Sequence, residues 1–104
     1  MNTTSSPASW RANLETLRQV LVTAQAERSK RQEWVASEDG SPGEIGRVLF
    51  EREQMLQAVN DLRTRAGKTP VSAEQVTQAE QRAMGHVDYT TKFAIACADL
   101  VAGD

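Results

Sequence analysis

Cysteine, histidine and aromatic residues are scarce in this sequence, and their scarcity narrows the chemistry available to it. Cys97 is the single cysteine, so the chain cannot form an internal disulfide. His86 is the single histidine, and no carboxylate lies three or four residues from it, where a helix would place a second metal ligand. Aromatic residues make up 5% of the chain. We therefore expect a core of aliphatic and alanine side chains.

The same scarcity argues against catalysis. His86 and Cys97 are separated by about 16 Å along a helix, which is too far for a nucleophile–base pair. The acidic residues of the central part of the chain are spread around a helix and form no convergent acid–base pair. We predict that the protein is not an enzyme and that it needs neither a cofactor nor a metal ion.

Long apolar runs and an excess of one charge are also missing. No run of about 18 apolar residues could span a membrane, and the first ten residues lack the basic and apolar regions of a signal peptide. The formal net charge of -2 creates no field that would draw nucleic acid. These features predict a cytoplasmic protein without a membrane partner. The excess of arginine over lysine, with abundant alanine, indicates a bacterial or phage origin.

The sequence does contain residues that are typical of helix starts and helix ends, and these signals are clearest in the middle of the chain. Ser41 followed by Pro42 is typical of a helix start, because the serine can cap free amides and proline suits the first helical position. Gly67 and Pro70 are typical of a helix end. Apolar residues recur at three- and four-residue steps between these marks. The pattern predicts a central helix over residues 42–66.

Two further helices are predicted on either side of the central one. Ser6 and Pro7 repeat the start signal and open a helix over residues 7–37. Ser72 with Gln75 forms a capping box and opens a helix over residues 73–102. Gly85 lies inside this third helix, where glycine costs about 1 kcal/mol relative to alanine and marks a bend.

Three long helices joined by short turns predict an all-α fold, an up-down-up three-helix antiparallel bundle. We expect a single domain over residues 6–104 and a disordered tail over residues 1–5. We also expect the bundle to form a homodimer or a larger assembly.

The expectation of self-association comes from an unequal distribution of apolar residues. The apolar stripe of the first helix stops after Ala24, and the next positions of its repeat fall on Arg28 and Arg31. An up-down-up order would place the apolar start of the second helix and end of the third helix beside this polar stretch. Such a pole exposes apolar surface, which usually marks an interface. The predicted partner-binding residues are Trp34, Val35, Ile45, Leu49, Phe50, Phe93, Leu100 and Val101.

The functional hypothesis is therefore a small non-catalytic protein–protein interaction module, such as an adaptor, chaperone, inhibitor or assembly subunit. It would bury its apolar pole against another protein or a copy of itself. Trp34 fits this hypothesis as an anchor for a partner, and fits equally a cap over the end of the bundle. The alternative is a nucleic-acid-associated regulator, in which a dimer gathers the basic patch of Arg28, Lys30 and Arg31. Flanking acidic residues make nucleic acid the less favoured partner.

Overall fold

The computed structural model describes the backbone of residues 7–39 and 43–103, and the side chains of residues 9–27 and 50–103. All regular structure within these ranges is helical. The four helices are α1 (Pro7–Asp39), α2 (Gly43–Arg65), α3 (Ala73–Ala83) and α4 (Tyr89–Ala102). The all-α prediction is confirmed, and the first two helices end within two residues of their predicted bounds. The predicted tail at residues 1–5 and the start signals at Ser6, Ser41 and Pro42 lie outside the described residues.

The prediction of a single third helix is wrong, because the chain turns between residues 84 and 88. Gly85 has a φ of 85°, a left-handed conformation that glycine adopts without the steric cost met by other residues. Asp88 then caps a new helix, since its carboxylate accepts a hydrogen bond from the Thr91 amide at 3.2 Å. The predicted bend is thus a helix end followed by a helix start, and the described residues form four helices instead of three.

Side-chain hydrogen bonds fix the direction of α4 relative to α1. The Trp10 indole donates to Asp99 at 3.0 Å, near the start of α1 and the end of α4. The Gln25 amide donates to the Thr90 hydroxyl at 3.1 Å, further along α1 but at the start of α4. The two helices are therefore antiparallel.

The pairing of α2 with α3 completes the topology. Arg52 contacts Glu80 near the start of α2 and the end of α3. Asn60 exchanges two hydrogen bonds with the backbone of Val71, just before α3 begins. These helices are also antiparallel, so the order is up-down-up-down. Helix α1 packs against α2 and α4, α3 packs against the same two helices, and α2 meets α4 between them.

The start of α3 forms as its sequence predicts. The Gln75 amide donates to the Ser72 hydroxyl oxygen at 3.3 Å, and the Ser72 amide donates to the Gln75 side chain at 3.0 Å. This reciprocal pair is the predicted capping box. Because Asn60 holds Val71 immediately before it, α3 enters the bundle in one orientation.

Among the residues whose side chains are described, the core consists mainly of aliphatic and alanine side chains, with one large aromatic ring. Phe93 is completely buried, and its ring lies 5.7 Å from that of Tyr89. Small residues on α3 and α4 allow these short helices to approach closely. The buried apolar residues are Leu17, Leu21 and Ala24 on α1; Met55 and Val59 on α2; Val76, Ala79 and Ala83 on α3; and Phe93, Ala94, Ala96, Cys97, Ala98 and Val101 on α4.

The four helices differ greatly in length. Helix α1 has 33 residues and α2 has 23, whereas α3 has 11 and α4 has 14. At about 1.5 Å per residue, α1 is roughly 50 Å long, which matches the longest dimension of the molecule, 54 Å. The described contacts place the turn between α3 and α4 level with Gln25 and Glu51. Beyond this level both α1 and α2 continue as helices.

We call this continuation the arm. It consists of residues 28–39 of α1 and residues 43–49 of α2. The remainder, where all four helices pack together, is called the body.

Candidate functional site

The arm carries half of the residues that the sequence predicted to bind a partner protein. Trp34 and Val35 lie on its α1 segment, and Ile45 and Leu49 lie on its α2 segment. The basic patch of Arg28, Lys30 and Arg31 lies on the α1 segment as well. The side chains of all seven are outside the described residues. Their positions on the two helices nevertheless place the predicted patches on one structural unit.

The remaining predicted partner residues are not brought together. Phe93 is completely buried and Val101 is 3% exposed, so the chain covers both with its own core. Leu100 is partly buried at the far end of the body, where its carbonyl oxygen accepts a hydrogen bond from Arg63. Because α4 runs back from the turn, Leu100 and Val101 lie at the end of the body opposite the arm. The prediction that all of these residues form one exposed apolar surface is therefore wrong.

Phe50 is the predicted partner residue that stays near the arm and is described. It is partly buried and lines an open groove of about 480 Å³ between α1 and α2, immediately below the arm. The other residues lining this groove are Thr16, Gln19, Val20, Thr23, Ala24, Glu27 and Gln54. The groove gives the side of the body next to the arm a concave surface with one aromatic wall.

The turn between α3 and α4 exposes two apolar side chains that the sequence analysis missed. Val87 is fully exposed and Met84 is 56% exposed. The signal that could have found them is the pair Gly85 and Asp88, a glycine stop followed three residues later by a capping aspartate. Both apolar side chains lie at the step where the body ends and the arm begins.

A polar layer closes the core directly below the arm. Glu80 is 1% exposed, and its carboxylate accepts hydrogen bonds from Arg52 at 3.0 and 3.3 Å. Glu51 is 2% exposed, and the Tyr89 hydroxyl is among its partners, at 3.3 Å. Burial of the tyrosine, together with these two carboxylates, raises the pKa of Tyr89 well above its usual value. The layer separates the apolar core from the arm.

The opposite end of the body is closed by two cations. Arg63, on α2, is 3% exposed and donates to the carbonyl oxygens of Thr69, Leu100 and Gly103 at 2.6, 2.6 and 2.9 Å. The Lys68 ammonium donates to those of Val101 and Ala102 at 2.8 and 3.1 Å. The last carbonyls of a helix lack partners within it and carry its negative dipole end. This arrangement stabilises the end of α4.

Arg63 lies in the last turn of α2. Among its hydrogen-bond partners, Leu100 lies on α4 and Gly103 directly follows α4, whereas Thr69 lies in the loop after α2. Nothing local in the sequence indicates the first two.

The two residues considered for catalysis, His86 and Cys97, differ in their exposure to solvent. His86 is exposed on the turn between α3 and α4, where its backbone amide donates to Ala83. Cys97 is completely buried, and burial raises the pKa of its thiol to about 12. Among the described residues, no group of three histidine, cysteine, aspartate or glutamate side chains is arranged to hold a metal ion.

The described helices also contain none that is both long enough and apolar enough to cross a membrane. Comparison of the chain with protein-family models, with curated proteins and with solved structures gave no match. The case for a function therefore depends on the chain's own geometry, and the feature that stands out is the arm.

Proposed function

We propose that this chain is a non-catalytic protein–protein interaction module and that the arm is its binding surface. The observation that carries the proposal is that α1 and α2 continue past the turn between α3 and α4. In the body each of these helices packs against α4 or α3 in addition to the other. Along the arm these neighbours have ended.

The composition of the arm supports the proposal. A pair of helices can bury only the stripe that each presents to the other, and most helical pairs need further packing to be stable in water. The arm nevertheless carries Trp34, Val35, Ile45 and Leu49. Burying apolar surface of this kind against a partner stabilises a complex by about 25 cal/mol per Å², less the entropy lost on association. An adaptor, a chaperone, an inhibitor or an assembly subunit could act in this way.

The occupant of the arm is either another protein or a copy of this chain, and a cytoplasmic homodimer is our first expectation. The test compares the wild type with Leu49→Glu on the arm and Val22→Glu on the body. Val22 is 48% exposed on α1, so a charge there disturbs no core packing. We expect the wild type and the Val22 variant to exceed 11.4 kDa by sedimentation equilibrium at micromolar concentration, and the Leu49 variant to sediment at 11.4 kDa.

If the wild type is a monomer, the same variants are used to test binding to a different protein. In that case each variant is immobilised and exposed to lysate from the native host. The proposal then requires a protein retained by the wild type and the Val22 variant but lost from the Leu49 variant. A monomer with no such protein would overturn the proposal.

The nucleic-acid alternative has one observation in its favour, namely that the basic patch also lies on the arm. Two arms in a dimer would bring two copies of Arg28, Lys30 and Arg31 near each other. Binding to duplex DNA would weaken steeply with salt, because neutralised phosphates release counterions. Titration of labelled DNA at about 50 and 200 mM salt decides the question, since an interaction module without this activity shows no saturable binding at either concentration.

A further inference from the structure

We propose that a cleft at the end of the body opposite the arm binds a small organic anion through its phosphate or carboxylate group. We call it the basic cleft, and its lining includes Asn13 of α1, Leu62 and Arg65 of α2, Lys68 of the following loop and Val101 of α4. The proposal goes beyond the proposed function and does not depend on it. The basic cleft borders the start of α1, whereas the arm lies at the other end of that helix.

The folding of the chain brings these side chains to one place. Leu62 and Arg65 are three residues apart on α2, so they share a face of that helix. Because α2 runs back along α1, the end of α2 lies beside the start of α1, where Asn13 stands. Gly67, with a φ of 76°, turns the chain after α2 so that Lys68 meets the end of α4. The cleft has a volume of about 420 Å³, which lies within the range of about 300–1,000 Å³ for small-molecule sites.

Two cations line the basic cleft and keep hydrogen-bond donors for a ligand. The Lys68 ammonium has three N–H donors, and the carbonyl oxygens of Val101 and Ala102 accept from it at 2.8 and 3.1 Å. These bonds hold the ammonium in place, and no described residue takes a third. The Arg65 guanidinium forms no hydrogen bond or ion pair with any residue that the structure describes. Its planar fork can bind two oxygens of one phosphate or carboxylate group.

The charge around the basic cleft favours an anion. None of its described lining residues is acidic. The carboxylate of Asp99 accepts a hydrogen bond from the Trp10 indole and lines a neighbouring cleft instead. The end of α4 contributes the negative end of a helix dipole, which Arg63 and Lys68 offset by donating to its last carbonyl oxygens. The charge of Arg65 is therefore left to attract a ligand.

The uncharged part of the lining selects the rest of the ligand. Leu62 and Val101 form an apolar wall beside the cations, and the Asn13 amide can donate to an anionic oxygen. An inorganic anion would contact only the polar side of the cleft. A compact phosphate or carboxylate with an aromatic or aliphatic group would contact both sides. Because the cleft is open to solvent, we expect dissociation constants in the millimolar range.

The test is a titration of isotope-labelled protein followed by two-dimensional NMR, with phenyl phosphate and benzoate as the organic anions. Inorganic phosphate and uncharged benzamide are titrated in parallel. An ionic strength of about 0.1 M screens general attraction to surface charges beyond about 10 Å. We expect both organic anions to cause saturable shifts at the amides of Asn13, Arg65 and Lys68. Inorganic phosphate should bind at least about fivefold more weakly, because it buries no apolar surface, and benzamide should not bind. The tighter of the two organic anions identifies the preferred anionic group.

Two variants and a matched control locate the binding. Arg65→Gln removes the unpaired guanidinium, and Asn13→Asp places a repelling carboxylate in the cleft. Each should weaken the binding of phenyl phosphate and benzoate at least about tenfold. Arg82→Gln is the control, because Arg82 is exposed on α3 outside the cleft and its replacement changes the net charge equally. This control, and Leu49→Glu on the arm, should bind like the wild type. Circular dichroism confirms that each variant remains helical.

Four results would overturn the proposal. Shifts that do not saturate with either organic anion would mean that the cleft holds no anion. Equal binding by Arg65→Gln and Arg82→Gln would mean that the Arg65 guanidinium does not hold it. Binding of benzamide as tightly as benzoate would indicate an apolar site, and binding of inorganic phosphate as tightly as phenyl phosphate would exclude a role for the apolar wall. None of these results bears on the arm, which the Leu49 variant tests separately.

Discussion

At the scale of single residues, the most consequential side chain is Arg63. Its guanidinium is buried and bonds three carbonyl oxygens belonging to the turn after α2, to α4 and to the residue that follows α4. A buried cation is costly unless its hydrogen bonds are complete, and here several of them are supplied by backbone atoms. Arg63 thus links the middle of the chain to its last helix.

Replacing Arg63 by methionine should therefore destabilise the protein. Methionine keeps much of the volume but leaves the Thr69, Leu100 and Gly103 oxygens without this donor, and we expect a loss of about 2–3 kcal/mol in the free energy of unfolding. Urea denaturation followed by circular dichroism measures it. Arg65→Met is the matched control, because Arg65 is exposed on the same turn and should cost less than about 0.5 kcal/mol. Equal midpoints for the two variants would contradict the role given to Arg63.

Cys97 provides a second prediction at this scale. The thiol is completely buried, and its pKa of about 12 keeps it protonated at ordinary pH. Because the thiolate is the reactive form, alkylation by iodoacetamide at pH 8 should be at least about 100-fold slower in the folded protein than in urea. Mass spectrometry over time measures both rates. Comparable rates would mean that α4 opens readily or that the thiol is exposed.

At the scale of helices, the decisive element is the turn between α3 and α4. Had the predicted third helix been continuous, it would have run along the length of α2 as one long rod. The turn instead folds the same residues into two short antiparallel helices. Because α3 and α4 are short, they lie beside each other in the body and do not extend along the arm.

The conformation of Gly85 should contribute measurably to this turn. A side chain at its φ of 85° is strained, although no atom lies within 4 Å of where a Cβ would stand. We expect Gly85→Ala to reduce the free energy of unfolding by about 1 kcal/mol through backbone strain alone. Gly103→Ala is the control, because Gly103 has a φ of -70° and its added Cβ would meet only ordinary contacts. A denaturant midpoint unchanged in both variants would mean that the turn does not need the left-handed conformation.

At the scale of the whole molecule, we assign stability to the body and the proposed binding to the arm. The buried core and the cations at the far end belong to the body. The arm extends α1 and α2 beyond the body. We therefore expect the two properties to be separable by shortening the arm.

Deleting residues 32–38 and 43–49 together tests this separation. Each deletion removes seven residues, about two helical turns, so the helices keep their faces. The shortened chain should unfold cooperatively with nearly the wild-type midpoint but should no longer self-associate. Thermal denaturation and sedimentation equilibrium measure the two properties. A shortened chain that is largely unfolded would contradict the division, because it would mean that the arm stabilises the body.

Much of the secondary structure could be predicted because its causes are local. The capping box of Ser72 and Gln75 joins residues three apart, and the left-handed stop at Gly67 depends on its own φ. The course of α1 and α2 followed from apolar periodicity and flanking proline and glycine. The aliphatic core followed from composition.

The break at Gly85 was missed because periodicity does not register backbone conformation. Ala83, His86 and Thr90 continue the three- and four-residue spacing across the turn, so the pattern stayed helical where the chain is not. The glycine was interpreted as a bend of modest cost. The aspartate that restarts the helix was not recognised as a cap.

The sequence alone therefore determined that the chain is helical, where most helices begin, and which residues are apolar. The tertiary structure decided which of those residues the chain itself buries. Phe93 and Val101 entered the core because α4 reverses direction. The physical reason is the sequence distance over which each interaction acts. Helix caps and apolar periodicity depend on residues a few positions apart, whereas burial depends on which distant helices pack together. The hydrogen bond from Arg63 to Leu100, for example, forms only in the folded chain.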